Sequence, residues 1–251
     1  MVWIGLLLAA CGGPTPLTFP LASTRTVSAG MTHIGIQPGL PPYVQVDASG
    51  KNVTGFDIEL MNAIAAKAGL QVQFVGVAKN ELLNAVLNCQ LDAGISAISM
   101  TDALKQQLTF SEPYWATGQA LVVKKGNITI SGTEQLPGMT VGAQTASPAA
   151  VEIQNIPNTQ LITYPSIDVA FRDLIIGNID AVVASRPRAA SYASIASNNL
   201  KIVGGEVGTE SYGIAVCNQD PTLLEKINAG LAAVKADGTL DKLAGKWDLP
   251  H

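Results

Sequence analysis

Two stretches of this chain share one plan, and they lie about 90 residues apart, too long a period for a solenoid. In the first, Leu82 to Asn88 reads as a helix, Cys89-Gln90 as a tight turn, and Leu91-Asp92-Ala93 as the opening of a buried strand. In the second, Val169 to Ile176 is the helix, Gly177-Asn178 the turn, and Ile179-Asp180-Ala181 the strand opening. Neither unit can bury its apolar face alone. Each needs a sheet of its own, so the chain is expected to hold two similarly built α/β halves.

The flanking pattern agrees. His33 to Gln37 alternates as a strand and is broken by Pro38-Gly39-Leu40-Pro41-Pro42; Tyr43 to Val46 resumes it, and Asp47 to Asn52 is a turn. Ile58, Met61, Ile64, Ala65 and Ala68 form a helical stripe that Gly69 stops, with Asp57 as its capping or first-turn acid. Leu70 to Val77 is a strand, Glu81 to Asn88 a helix, and Leu91 to Ser96 a strand. This βαβαβ order predicts a parallel sheet covered by helices. A hinge is expected at Trp115 to Gly118, followed by the strand Gln119 to Lys124. The second half then predicts strands at 139–144, 160–164 and 180–184. Its helices are expected at 148–155, 166–177 and 187–197, with Pro148 in a first turn and Ser166 as a cap. After a run back over 201–206, Ser211 to Val216 reads as a strand, and helices are expected at 221–236 and 240–247.

Composition excludes several function classes. Hydrophobic residues make up 47% against 14% charged, which supports a sizeable core in 251 residues. The net charge of −4, with no basic patch interleaved with aromatics, argues against nucleic acid as a partner. There are two histidines, His33 and the last residue His251, so neither a Ser-His-Asp set nor a histidine metal site can be assembled. No phosphate-binding glycine motif occurs. No catalytic residue, metal ligand or cofactor is expected.

The opening MVWIGLLLAA is apolar, too short to span a bilayer, and followed by Cys11. Leu8-Ala9-Ala10-Cys11 matches a bacterial lipobox, so residues 1–11 are expected to be a lipoprotein signal, with Cys11 lipidated. No basic residue precedes it, a departure from the usual signal. Residues 12–29, rich in Pro, Ser and Thr, read as a tether. Cys89 and Cys217 remain. In an exported chain they are a candidate bridge; otherwise they are two independent buried thiols.

The run LDAGISAISMTDALKQQLTFSEPY, residues 91–114, resembles a signature of the family 3 solute-binding proteins, the polar-amino-acid receptors of bacterial ABC importers. GFDIEL, SYGIAV and the run from KADGT to KW recur in the order and spacing of that family, so the resemblance covers residues 30 to 248. It implies a two-lobed α/β periplasmic-binding-protein fold of type II. Lobe 1 would be 30–113 plus 212–251 and lobe 2 119–206, with hinges at 114–118 and 207–211. A small-molecule solute would lie in the cleft, and closure would be by hinge bending. The chain would be a monomer, held to the membrane by its lipid and partnered by an importer permease, or by a membrane receptor if the module senses. A dehydratase of the same fold is disfavoured because the carboxylate positions are Gln37 and Ser185. In the family the strand matching SYGIAV pairs antiparallel with that matching LDAGIS, which implies a Cys89–Cys217 disulfide.

The same resemblance places the ligand set, and here the chain departs from it. The family's carboxylate-binding Arg falls on Leu104, its ammonium-binding Asp on Ser185, an acidic residue after the first strand on Gln37, and the flanking aromatics on Leu40 and Lys79. The hydroxyls survive: Ser96 and Ser99 in lobe 1, with Thr145 and Ser147 beside Gln144 in lobe 2. Tyr43 and Trp115 are aromatic candidates for the cleft, and Arg186 follows Ser185 near its mouth. Two expectations follow. Either the solute lacks the zwitterion and is held by Gln37, Ser96, Ser99, Gln144, Thr145, Ser147 and Ser185, or Lys79 has become the carboxylate partner.

Overall fold

The computed structural model describes residues 30–47 and 52–249. Cys11 and the tether lie outside the described residues, as does the side chain of Lys79. The first half of the chain runs β1 (Met31–Ile36), β2 (Gln45–Val46), β3 (Val53–Thr54), α1 (Phe56–Ala68), β4 (Gln71–Gly76), α2 (Lys79–Leu87), β5 (Ala93–Gly94), α3 (Asp102–Lys105) and β6 (Thr109–Phe110). The second half holds β7 (Trp115–Lys124), β8 (Thr140–Gln144), α4 (Pro148–Gln154), β9 (Gln160–Tyr164), α5 (Ile167–Ile176), β10 (Ala181–Ser185), α6 (Arg186–Ser194) and β11 (Leu200–Tyr212). The chain closes with β12 (Ala215–Val216), α7 (Pro221–Ala236) and α8 (Thr239–Lys246).

Two five-stranded sheets result, ordered β4-β1-β5-β12-β6 and β11-β7-β10-β8-β9. In each, the strands that follow crossover helices are parallel: β1 to β4 and β5, and β8 to β9 and β10. The two units that share one plan become α2–β5 and α5–β10, one in each sheet. Each sheet has its own apolar core. Ile34, Phe56, Leu60, Ile64, Ile227 and Leu231 anchor the first, and Phe171, Leu174 and Val182 belong to the second, all essentially without exposed surface.

The chain passes between sheets on β7 and β11, which pair antiparallel from Trp115↔Tyr212 to Leu200↔Lys124. This corrects two expectations. The strand expected from Gln119 begins at Trp115, so residues 115–118 are the first four of a continuous ten-residue strand. Ser211 to Val216 is not one strand. Ser211 and Tyr212 pair with the second sheet's Ala116 and Trp115, whereas Ala215 and Val216 pair with Gly94 and Ala93 of the first. The change of sheet falls at Gly213, where a Cβ would sit 2.7 Å from Met100 Sδ and 3.0 Å from Phe110. The predicted strand Leu91 to Ser96 also shortens to Ala93–Gly94, because the chain bends away into a loop.

The antiparallel β5–β12 pair brings Cys89 and Cys217 into a disulfide, with Cα atoms 5.1 Å apart. Ser166 caps α5 by accepting from the Asp168 amide, and Gly177 ends it in the left-handed region at φ 93°. Asp57 does not cap α1. Its carboxylate turns inward, is wholly buried, and accepts from the Ala97 amide at 2.7 Å.

Candidate functional site

A cleft of about 810 Å³ opens between the two sheets, within the size range of small-molecule sites. Its walls differ. From the first sheet's side come Leu82 and Leu83 of α2 and Ile98, Met100 and Leu104 of the following loop and α3, an apolar surface. Leu104, where the resemblance expects a guanidinium, is half-buried and packs against the apolar cluster that includes Leu82, Val86 and Leu108. From the second sheet come the polar ends of β7, β8 and β10 and the first turns of their helices.

The loop Ser96 to Ser99 is held from beneath. Ala97 adopts φ 44°, an unfavourable state for a residue with a Cβ. Its amide donates to Asp57, whose burial pushes the carboxyl up to about 7, the Ala97 hydrogen bond acting against the shift. Ser96 Oγ accepts from the Gln37 amide at 2.7 Å, fastening this loop to the end of β1. Ser99 Oγ donates to Glu210 Oε2 at 2.7 Å, and the Tyr212 hydroxyl donates to Glu210 Oε1. Both serines therefore bond across the fold and not to their own backbone. Glu210, on β11, is a buried carboxylate at 8% exposure in the cleft wall.

Of the predicted ligand residues, Gln37, Tyr43, Ser96 and Ser99 line the cleft on one side. Gln144, Thr145, Ser147 and Ser185 line it on the other. Tyr43 lies beneath the floor with no exposed surface, edge-on to Tyr212 at 5.4 Å. Gln144 Nε2 donates to the Pro165 carbonyl and Thr145 Oγ1 to that of Tyr164; Ser147 caps α4. These three polar groups already serve the local chain. Ser185 precedes α6 without a capping bond from its side chain. Trp115 is buried in the first core, against Phe56 at 5.6 Å.

The cleft arginine is Arg188, and Arg186 lies elsewhere. Residues two apart on a helix point about 200° away from one another. Pro187 lies in the first turn of that helix, and Arg186 pairs outward with Glu206 at 3.4 Å while Arg188 turns inward at 5% exposure. Arg188 Nη2 meets Asp168 Oδ1 at 2.6 Å, and Nη1 donates to the Pro41 carbonyl of the opposite wall at 3.0 Å. Burial works to raise the Asp168 carboxyl, but bonds from Tyr192, Arg188 and Ser166 outweigh it and hold it below its ordinary value. Arg188 Nε is buried without a hydrogen-bond partner. The same holds for Nε2 of Gln119, which is 1% exposed and sits opposite Ser185 in the β7–β10 ladder.

Sequence reasoning missed Arg188, Glu210 and Gln119. One signal was present: Glu210 and Tyr212 lie two apart, on one face of a strand. Glu210 therefore shares the inward face of Tyr212.

The family model for bacterial extracellular solute-binding proteins, family 3, matches residues 32–250. The ABC transporter arginine-binding protein 1 of Escherichia coli (strain K12) is 29% identical over 226 residues, covering 88% of this chain and 91% of that relative. A solved structure of an ancestral arginine-binding protein bound to glutamine superposes with a TM-score of 0.79 at 36% identity, over 88% of this chain and 99% of that one. The ancestral amino acid-binding protein AncCDT-1, a precursor of cyclohexadienyl dehydratase, superposes with a TM-score of 0.76 at 32% identity, over 87% and 95%.

Proposed function

The chain belongs to family 3 of the bacterial extracellular solute-binding proteins, and from that premise we propose that it captures a small polar solute between its lobes for an ABC importer. The solute is an amino acid or a close chemical relative. The observation that carries this reading is the cleft itself, lined from both sheets and holding one buried guanidinium, Arg188, and one buried carboxylate, Glu210. Opposite charges held apart in one cleft suit a dipolar solute, since each ligand charge then replaces lost hydration with a partner. The apolar wall of Leu82, Leu83 and Leu104 suits the remainder of such a molecule.

The lobes divide at 114–118 and 207–211, beside the points where the chain passes from one sheet to the other, and closure bends β7 and β11. Lipid at Cys11 holds the chain at the outer face of the membrane, as a monomer beside its permease. The chain acts as a receptor and not a catalyst. The relative and the two solved structures above are named as binding proteins, and Gln37 and Ser185 present no carboxylate to the cleft.

Thermal unfolding in the presence of the common L-amino acids, polyamines and small neutral solutes tests the reading. A solute at a hundredfold excess over its dissociation constant stabilises the folded state by about 2.7 kcal/mol, readily seen in the melting temperature. One or a few amino acids are expected to give such a shift. A flat response across the whole panel would overturn the reading.

A further inference from the structure

Two buried hydrogen-bond donors on the second sheet's wall of the cleft have no partner. Gln119 Nε2 and Arg188 Nε are both enclosed, on side chains 1% and 5% exposed, and both residues line the cavity. Leaving a buried donor unpaired is unfavourable, and a ligand acceptor in the cavity would satisfy both. Their placement is shared. Gln119 of β7 is the ladder partner of Ser185 on β10, and directly opposed residues of an antiparallel pair project from the same face. Arg188 follows Ser185 within the first turn of α6. Asp168 and the Pro41 carbonyl each hold one terminal nitrogen of the guanidinium, which fixes its plane and leaves the Nε edge unused. On the facing wall Leu104 and Met100 offer no donor of comparable strength.

Resting on the solute-binding reading above, we propose that Arg188, Gln119 and Ser185 form a carboxylate subsite. It places the ligand's carboxylate against the second sheet, with the less polar part of the ligand on Leu104 and Met100. The subsite thus stands on the opposite wall from Leu104, where the resemblance places the family's arginine. Glu210, fixed by the hydroxyls of Ser99 and Tyr212 on the strand between the walls, faces the ligand's ammonium. Asp168 is a positioning residue, acting through the guanidinium and not on the ligand.

The test compares each of the common L-amino acids with its own α-amide by calorimetric titration. The proteins are wild type, Arg188→Lys, Gln119→Leu and Arg186→Ala. Wild type is expected to prefer the acid at least tenfold, since a hydrogen bond from a guanidinium to a carboxylate is stronger than one to a neutral amide. Arg188→Lys and Gln119→Leu are expected to lose about tenfold or more on the acid and to bring the acid-to-amide ratio towards one. Arg186→Ala is expected to keep both. Gln119→Leu also separates binding from folding. It replaces the amide and its orphan donor with an apolar group of similar size, so the unliganded melting temperature is expected to hold, whereas a structural role would lower it. Binding with equal affinity for acid and amide, or a preference that survives both substitutions, overturns the carboxylate subsite while leaving the receptor reading in place. Failure of every acid and amide to bind wild type overturns both.

Discussion

Asp57 shows how far a single residue can serve the cleft without touching it. Its carboxylate is wholly buried and holds the Ala97 amide at 2.7 Å, so the loop carrying Ser96 and Ser99 keeps a backbone state it would not adopt alone. Burial pushes its carboxyl from 3.8 up to about 7. A raised carboxyl means that between pH 4 and 7 the folded chain keeps a proton the unfolded chain has released. Stability therefore falls as pH rises through that window. Asp57→Asn keeps an acceptor for Ala97 and removes the titration. Urea denaturation at pH 4.5 and pH 8 is expected to show a stability loss of a few kcal/mol for wild type and a nearly flat profile for the variant. The arginine pair makes the same point about side-chain direction. Arg186 and Arg188 differ by two positions, and the helical turn sends one to Glu206 and the other into the cleft.

At the scale of elements, α1 and α7 support the first sheet by close approach. Gly230 of α7 faces the Ile64 carbonyl of α1, and a Cβ there would stand 2.6 Å from that oxygen. The obstacle is backbone, so the helices must separate. Alanine would gain about 1 kcal/mol of helix propensity over glycine. It would lose more to overpacking, typically about 1–3 kcal/mol, together with core contacts of Ile227 and Leu231. Gly230→Ala is thus expected to lower stability, against the propensity trend, and a thermal melt with an unchanged or raised midpoint would contradict this packing account. The paired strands β7 and β11 carry the opposite specification. Their ladder has register shifts between Val203 and Glu206 and between Glu206 and Thr209. Such irregularities bend a strand locally, and these two lie between the Leu200–Val203 and Thr209–Tyr212 ends of the ladder.

For the whole molecule, the topology makes the first lobe discontinuous. Residues 215–249 return to a unit begun by residues 31–110, after the second sheet has been built. The Cys89–Cys217 disulfide closes that excursion, with a sequence separation of 128 residues. A bridge over so long a loop restricts the unfolded chain strongly, and removing a native one typically costs about 2–5 kcal/mol. The Cys89→Ala/Cys217→Ala double variant is expected to unfold at a correspondingly lower urea midpoint. It should retain solute affinity once folded, because neither cysteine lines the cleft. An affinity loss comparable to that of Arg188→Lys would show that the bridge also shapes the site.

Much of this was legible in residue order, because secondary structure and fold class follow from local pattern. The stripe from Ile58 to Ala68, the Pro at the start of α4 and of α7, the Ser166 cap and the Gly177 stop set element ends within a residue or two. The repeated helix–turn–strand plan foretold two sheets, and the cleft between them followed from the family resemblance. So did the cysteine pairing, through strand neighbours. The ligand set was only half legible. Matching positions one by one put uncharged residues, Leu104 and Ser185, where the resemblance expects charge, and did not point to Arg188, Gln119 or Glu210. Arg188, Gln119 and Glu210 lie 69 to 91 positions apart along the chain, apart from the 22 that separate Arg188 from Glu210. They meet only because β7, β10 and β11 are neighbours in one sheet and α6 begins where β10 ends. Burial and an unmet hydrogen bond are properties of that enclosure. The sequence alone determined two α/β lobes and a cleft; which charges face it was decided by long-range strand pairing and by the turn of one helix.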